Sequence, residues 1–343
     1  MIKVFIIDDS ITVRAGFKNL LKDIVDIEVL GEANNPIDAL EIFQTTGFPD
    51  LFLLDIEMPK MDGLTFLRKI NEQRPTPVII CSTLVEEGSE ALLDALHLGA
   101  TFIIEKPRTK LSSFFKEYKD ELIENIRVAA NTKVKYNSNF IESKKVKKIS
   151  TSLQTKSENV IAIGSSTGGV QVLEEIVTNL KESHQGVVVV QHMPKGFTAS
   201  FAKRLNDIAP YSTVYEAKDG DIINNSSIYI APGDNHMEIQ ATPEGYKIVI
   251  SYSEKINSHR PSVNTLFKSV AIEAKNNALG FILTGMGNDG ADGLKKMLNA
   301  GASTYAQNEK SSTVYGMPKV AQEIGATKEM LSIFNIIKLI NEY

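Results

Sequence analysis

Residues 159–176 read NVIAIGSSTGGVQVLEEI: a short apolar run, a turn of glycine and hydroxyl residues, then the start of an amphipathic segment. That succession predicts a strand, a sharp turn and a helix, the repeating unit of a parallel α/β sheet. The turn itself admits three chemistries. A P-loop phosphate cradle needs glycine, four residues and then Gly-Lys-Ser/Thr, and no lysine follows Gly168 or Gly169. A dinucleotide loop needs a glycine where Ser166 stands. What remains is G-x-S-x-G over 164–168, a strained strand-to-helix turn that holds a serine hydroxyl clear of the sheet.

A serine attacks only if a base takes its proton and a third group orients the base. Of the five histidines, His97 falls in a helix of the first half and His184 in an expected surface turn. His192 differs, because GVVVVQHMP sets it just past an apolar strand, and ALGFILTGMGNDG does the same for Asp289. Three parallel strands would bring Ser166, His192 and Asp289 to one rim. Capping is the competing reading: Ser166 for a helix from 168, Asp289 for one from 290, with His192 an ordinary loop histidine. A second constellation, Asp234 with His236 or His259, lies in a turn and a hairpin without strand-end placement and ranks lower. No His-x-x-x-His or cysteine pattern suggests zinc.

The first half repeats the strand–helix rhythm. IKVFII, IEVLGEA, DLFLLD, PVIICS and TFIIEKP read as five strands, with helices around 12–23, 36–46, 63–71, 88–97 and 111–128. Runs so short and apolar suit a doubly wound parallel sheet covered on both faces. Asp8 and Asp9 follow the first strand, Asp55 ends the third, and Lys106 follows the fifth. In such sheets ligands bind beyond the carboxyl ends of strands. Three carboxylates there suit Mg²⁺ better than zinc, and a carboxylate beside a cation and an ammonium can accept a phosphoryl group. Helix capping by Asp8 and Asp9 is the plainer alternative, but it leaves Lys106 unexplained.

At 343 residues the chain suits two domains, and 43% apolar with 23% charged residues is ordinary for a globular protein. Residues 131–157 hold seven lysines against one glutamate, few large apolar side chains and many Ser, Thr and Asn, the composition of a tether. We therefore expect domains at 1–128 and 158–343 joined by a lysine-rich linker at 129–157. In the second domain, helices are expected near 168–180, 196–208, 262–276, 290–300 and 315–325. The short strands STVYEA, SIYIAP, MEIQA and YKIVIS are expected as antiparallel hairpins inside a mostly parallel sheet. A net charge of −5 argues against general nucleic-acid binding. The single cysteine, Cys81, in a strand, and the lack of a leader pattern or a membrane-length apolar run place the protein in the cytoplasm without membrane insertion.

On these motifs the chain resembles two known families. IIDDS, LLDIEMPKMDGL, CST and KP stand in the order of two-component receiver domains. That resemblance implies phosphorylation of Asp55 by a chemotaxis histidine kinase, Mg²⁺ on Asp8, Asp9 and Asp55, contact of Lys106 with the phosphoryl group, and Ser82 as the hydroxyl switch. Where many receivers carry an aromatic switch, this chain has Ile103, beside Phe102. IGSSTGG, VVQHMPKGFT, APGDNH, HRPSV and ILTGMGNDG resemble the catalytic domain of the chemotaxis protein-glutamate methylesterases (CheB). That resemblance implies Ser166 as nucleophile, His192 as base, Asp289 as its orienting acid and the Met286 amide in the oxyanion hole. His259, Arg260 and Ser262 fall in cleft-lining motifs without an assigned role. The substrate implied is a glutamate methyl ester on the cytoplasmic helices of a chemoreceptor, with receptor glutamines deamidated as well and no cofactor for the esterase step. The rivals are a transcriptional regulator, for which no recognition helix follows the linker, and a scaffold whose triad is vestigial.

Overall fold

The computed structural model describes residues 1–82, 90–106, 111–132, 155–193, 195–257 and 259–343. The chain forms two compact units, Met1–Ile141 and Glu142–Tyr343. Most of the lysine-rich stretch, 133–154, lies outside the described residues.

The first unit runs β1 Ile2–Ile7, α1 Ile11–Leu21, β2 Ile27–Ala33, α2 Pro36–Thr46, β3 Leu51–Leu54, α3 Gly63–Gln73, β4 Val78–Ser82, α4 Glu90–His97, β5 Phe102–Glu105, α5 Leu111–Glu117 and α6 Lys119–Ala130. The strands form one parallel sheet in the order β2-β1-β3-β4-β5. Its order reverses beside β1, so the ends of β1 and β3 flank a crevice. The strands are apolar because both faces are covered; Val4, Ile6, Leu53, Ile79 and Ile104 share one core with Phe17, Leu122 and Ile126. The single helix expected over 111–128 is two, divided at Tyr118, and the second reaches Ala130.

The second unit runs β6 Val160–Ser165, α7 Gly169–Asn179, β7 Gly186–Gln191, α8 Phe197–Ile208, β8 Thr213–Glu216, β9 Ser227–Ile230, β10 His236–Thr242, β11 Gly245–Ser251, α9 Val263–Glu273, β12 Ala278–Ile282, α10 Ala291–Asn299, β13 Ser303–Gln307, α11 Met317–Glu323, β14 Glu329–Leu331 and α12 Ile333–Glu342. Seven strands make a parallel sheet in the order β14-β13-β12-β6-β7-β9-β8. Among the described residues only β10 and β11 form an antiparallel hairpin, as a separate two-stranded sheet. The expected hairpins of STVYEA and SIYIAP are thus corrected: β8 and β9 pair in parallel with each other, and β9 with β7. β9, between β7 and β8, is buried throughout, whereas β8 at the sheet edge buries only Val214, and a four-residue run does not reveal strand direction. Neither β14 nor α12 was foreseen; α12 announces itself by Ile333, Ile336 and Ile340, all buried on one stripe.

Sheet order decides the site. β6 lies between β12 and β7, so the residues that leave these three strands emerge side by side. Phe267 and Val270 of α9 and Leu294 and Met297 of α10 pack with Val160, Ala162, Val188 and Val190 of the sheet, holding that rim against a single core.

Candidate active site and receiver site

Ser166 leaves β6 through a turn whose geometry explains its glycines. Gly168 is the N-cap of α7 with φ +78°, a left-handed conformation that glycine adopts without strain. Neither Ser166 nor Asp289 caps its following helix with a side chain; both helices start at a left-handed glycine instead, Gly168 and Gly290. The Ser166 amide donates to Thr284 O (3.0 Å), and Gly169 N donates to Ser166 O (2.8 Å). Thr284 Oγ1 donates to Thr167 O (2.9 Å), tying the turn to the loop after β12. Ser165 is fully buried and its hydroxyl donates to Gln191 Oε1 (2.6 Å), whereas Ser166 is half-buried. Of the two serines, only Ser166 is partly exposed.

His192 follows β7, and its amide donates to Ser165 O (3.0 Å), which sets the histidine beside the serine turn. Its Nε2–H donates to Asp289 Oδ2 (2.9 Å), and its Nδ1 is buried with no partner. Among the described residues no hydrogen bond joins Ser166 Oγ to that nitrogen. Asp289, 1% exposed, takes three further bonds from the start of α9: Ser262 Oγ (2.8 Å), Val263 N (2.7 Å) and Asn264 N (3.2 Å). Burial pushes its carboxyl up, but the bonds from His192, Ser262 and the Val263 amide outweigh it and hold it below the ordinary carboxylate range. A carboxylate at a helix N-terminus is also favoured by the helix dipole. The arrangement gives an ionised acid, an oriented imidazole with one nitrogen available, and a hydroxyl on the adjoining strand.

The Met286 amide has no acceptor among the described residues, although its neighbours are fixed: Gly285 N donates to Val314 O, and Gly285 O accepts from Met317 N (2.8 Å). A Cβ on Gly285 would lie 2.8 Å from the Ser166 Cβ, so the loop bearing that amide packs directly on the serine.

Other histidines find different employment. His236 accepts at Nδ1 from Ser262 N (3.2 Å) and donates from Nε2 to Glu254 O (3.0 Å); it is a neutral structural ring. Asp234 pairs with Arg260 (Nη2–Oδ1 2.6 Å), whose guanidinium stacks on Tyr252 (3.8 Å). The alternative triad from Asp234 and His236 therefore does not assemble. His259 stacks on His192, with centroids 3.8 Å apart and planes at 14°, and burial beside His192 lowers it to about 4. His184, expected at the surface, is buried and bonded at both nitrogens, to Gln185 O and Ser212 Oγ.

The receiver groups also meet. Lys106 Nζ donates to Asp8 Oδ2 (2.7 Å) and Asp55 Oδ2 (2.6 Å), and all three are nearly fully buried. Asp9 is exposed, and one carboxylate oxygen each of Asp8, Asp9 and Asp55 lies within 4.8 Å of the others, an all-oxygen set that fits a hard divalent cation. Ser10, not Asp8 or Asp9, caps α1 by accepting from Val13 N. Burial pushes Asp55 up to about 6 despite Lys106, and the two acids hold Lys106 above its usual value. Ser82, at the end of β4, accepts at its carbonyl from Lys106 N (2.9 Å), which puts the residue expected as the switch next to the lysine. Phe102 and Ile103 are both half-buried.

The fold and the two sites define a receiver domain joined to an α/β domain with serine, histidine and aspartate on one strand edge. The CheB methylesterase family matches residues 161–340, and the response regulator receiver domain matches residues 4–114. A protein from Leptospira interrogans named protein-glutamate methylesterase/protein-glutamine glutaminase 3 is 48% identical, with 98% of each chain covered. One of the same activity name from Sulfurimonas denitrificans is 44% identical, covering 98% of this chain and 96% of its own. The crystal structure of the Thermotoga maritima CheB methylesterase catalytic domain matches with a TM-score of 0.53 at 38% identity, over 54% of this chain and 98% of that one. The chain belongs to the CheB methylesterase family.

Proposed function

We propose that the protein is a phosphorylation-activated hydrolase that removes methyl esters from glutamate side chains of chemoreceptors and deamidates receptor glutamines in chemotaxis adaptation. Ser166 Oγ attacks the ester carbonyl while His192 Nδ1, the nitrogen that Asp289 leaves available, takes its proton. The tetrahedral oxyanion lies against the Met286 amide. The proton passes from His192 to the leaving oxygen, methanol departs, and a water activated by the same imidazole hydrolyses the acyl-enzyme to a glutamate. With an amide substrate, ammonia leaves instead. Asp289 keeps Nε2 protonated and stabilises the imidazolium.

The observation that carries this reading is the four-bonded Asp289 carboxylate gripping a histidine whose second nitrogen is buried and unpartnered beside the Ser166 turn. The esterase step needs no cofactor. In the receiver, Asp55 accepts a phosphoryl group from a chemotaxis histidine kinase, Lys106 pairs with it, and Ser82 responds to it. Asp8, Asp9 and Asp55 would hold Mg²⁺, which neutralises charge on the phosphoryl oxygens. We assign the receiver to 1–128, the linker to 129–157 and the catalytic domain to 158–343, in the cytoplasm and without nucleic-acid partners. No helix among the described residues is long and apolar enough to cross a membrane.

The test is methanol release from methylated chemoreceptor membranes, with and without a small phosphodonor and Mg²⁺. Release should rise with phosphodonor, vanish in Ser166→Ala and stay unstimulated in Asp55→Asn. Wild-type release by Ser166→Ala would sink the nucleophile assignment, and no release by any chain would favour the scaffold.

A further inference from the structure

β7 is a run of four valines that ends in a buried polar side chain, Gln191, 3% exposed. Its amide is oriented from both sides. Ser165 Oγ donates to Oε1 (2.6 Å), so Nε2 faces the opposite way, where it donates to Ser166 O (2.9 Å) and His192 O (3.1 Å). One amide therefore bonds the residue that carries the serine hydroxyl and the residue that carries the imidazole.

A second observation is independent of those bonds. Gly169, the last glycine of GSSTGG, is buried with ordinary helical backbone, so its identity is not explained by left-handed φ. A Cβ there would collide with Gln191 Oε1 and come within 2.8 Å of Ser165 Cβ and 2.9 Å of Ser165 Oγ. The position lacks a side chain because the glutamine amide and the Ser165 hydroxyl occupy that volume.

We propose that Gln191 is a positioning residue for the acyl transfer: its amide, aligned by Ser165 and seated against Gly169, fixes the separation of the Ser166 and His192 main chains. The inference rests on the reading of Ser166 and His192 as nucleophile and base. No bond between Ser166 Oγ and His192 holds the two side chains together, so their alignment depends on the backbone that carries them. Misplacement of reacting groups by about 1 Å costs on the order of 100-fold in rate. A single amide that spans both residues is the economical way to prevent it.

The experiment measures methanol release by the phosphodonor-activated full-length chain on methylated chemoreceptor membranes, for wild type, Gln191→Ala, Gln191→Glu, Ser165→Ala, Ser165→Ala with Gln191→Ala, and Ser166→Ala, with thermal unfolding followed in parallel. Gln191→Ala should lower kcat by roughly 10- to 100-fold with KM changed less than about twofold. Gln191→Glu, which keeps an acceptor for Ser165 but loses the donor, should fall as far. Ser165→Ala should lower kcat by several-fold alone and not at all in the Gln191→Ala background, because the hydroxyl acts only through the amide. A purely structural role would move the unfolding midpoint but give neither the kcat–KM split nor this coupling. If Gln191→Ala does not fold, Ser165→Ala and Gln191→Glu read the same strap. A folded Gln191→Ala or Gln191→Glu with kcat within twofold of wild type, or additive losses in the double variant, overturns the inference. Wild-type turnover by Ser166→Ala would instead overturn the reading on which it rests.

Discussion

The two units place their chemistry by the same device and give it opposite electrostatics. In each, side chains leave the carboxyl ends of neighbouring parallel strands and converge: Asp8, Asp55 and Lys106 in one, Ser166, His192 and Asp289 near the other rim. The receiver buries unlike charges against each other, two carboxylates on one ammonium, with a third carboxylate outside. The second site buries one carboxylate, Asp289, and satisfies it with a hydroxyl, two amides and a histidine. Desolvation leaves Asp55 raised, whereas hydrogen bonds leave Asp289 lowered. On the proposed function, the site that would take up a cation and a phosphoryl group is left under-compensated, and the carboxylate that would orient the base is fully hydrogen-bonded before substrate arrives.

The comparison breaks most visibly at the nucleophile. Ser166→Ala should reduce methanol release by about 10⁴-fold or more, the loss typical of a triad serine. Asp289→Asn comes next, at about 10³- to 10⁴-fold in kcat, because an amide in that seat no longer stabilises the imidazolium and can favour the wrong tautomer. A loss under tenfold would mean that Asp289 is a structural cap on α9 and nothing more. In the receiver the corresponding change, Asp55→Asn, should abolish the response to phosphodonor and the incorporation of labelled phosphoryl group. Stimulation that persists would detach regulation from that carboxylate.

The smallest effect concerns pH and should have opposite signs in the two units. Asp55 sits at about 6 when folded, above an ordinary carboxylate, so between about 4 and 6 the folded receiver binds more protons than the unfolded one. In metal-free buffer its contribution should stabilise the receiver as pH falls through 6. His259 sits at about 4 when folded, below an ordinary histidine, so between about 4 and 6.5 the unfolded state binds more protons. Its contribution should destabilise the catalytic unit over the same descent. Domain-resolved hydrogen exchange from pH 7 to 5 checks this, with Asp55→Asn and His259→Phe flattening the respective slopes. Parallel slopes in the two variants and the wild type would contradict the assigned electrostatics.

Much of this was legible from local pattern. Apolar runs of four to six residues located β1, β3, β4, β6, β7 and β12, and the residues just past four of them, β1, β3, β6 and β7, named Asp8, Asp55, Ser166 and His192 as candidates. G-x-S-x-G needs no partner to be read, because the strained turn and its left-handed Gly168 are properties of a few consecutive residues. The hairpin expectation for β8 and β9 failed for the converse reason: strand direction is set by what lies beside the strand, and a four-residue strand looks alike in either sense. Gln191 was overlooked because a lone glutamine after VVVV carries no motif; a polar residue in a fully buried strand was the available signal.

The amino-acid sequence by itself determined the two-domain α/β plan, the strand ends that carry chemistry, and the residue types at each. Hydrophobic periodicity and turn chemistry act over a few residues and so are written locally. Only tertiary structure decided which groups meet: Lys106 with Asp8 across 98 positions, His192 with Asp289 across 97, and Asp289 with the start of α9 across 26. It also separated the two serines, burying Ser165 against Gln191 and leaving Ser166 partly exposed, and it turned His236 into a backbone pin and stacked His259 on His192. Those outcomes depend on strand order and on which buried polar groups find partners, and an unpartnered polar group is costly enough that packing assigns each one a role that no local pattern encodes.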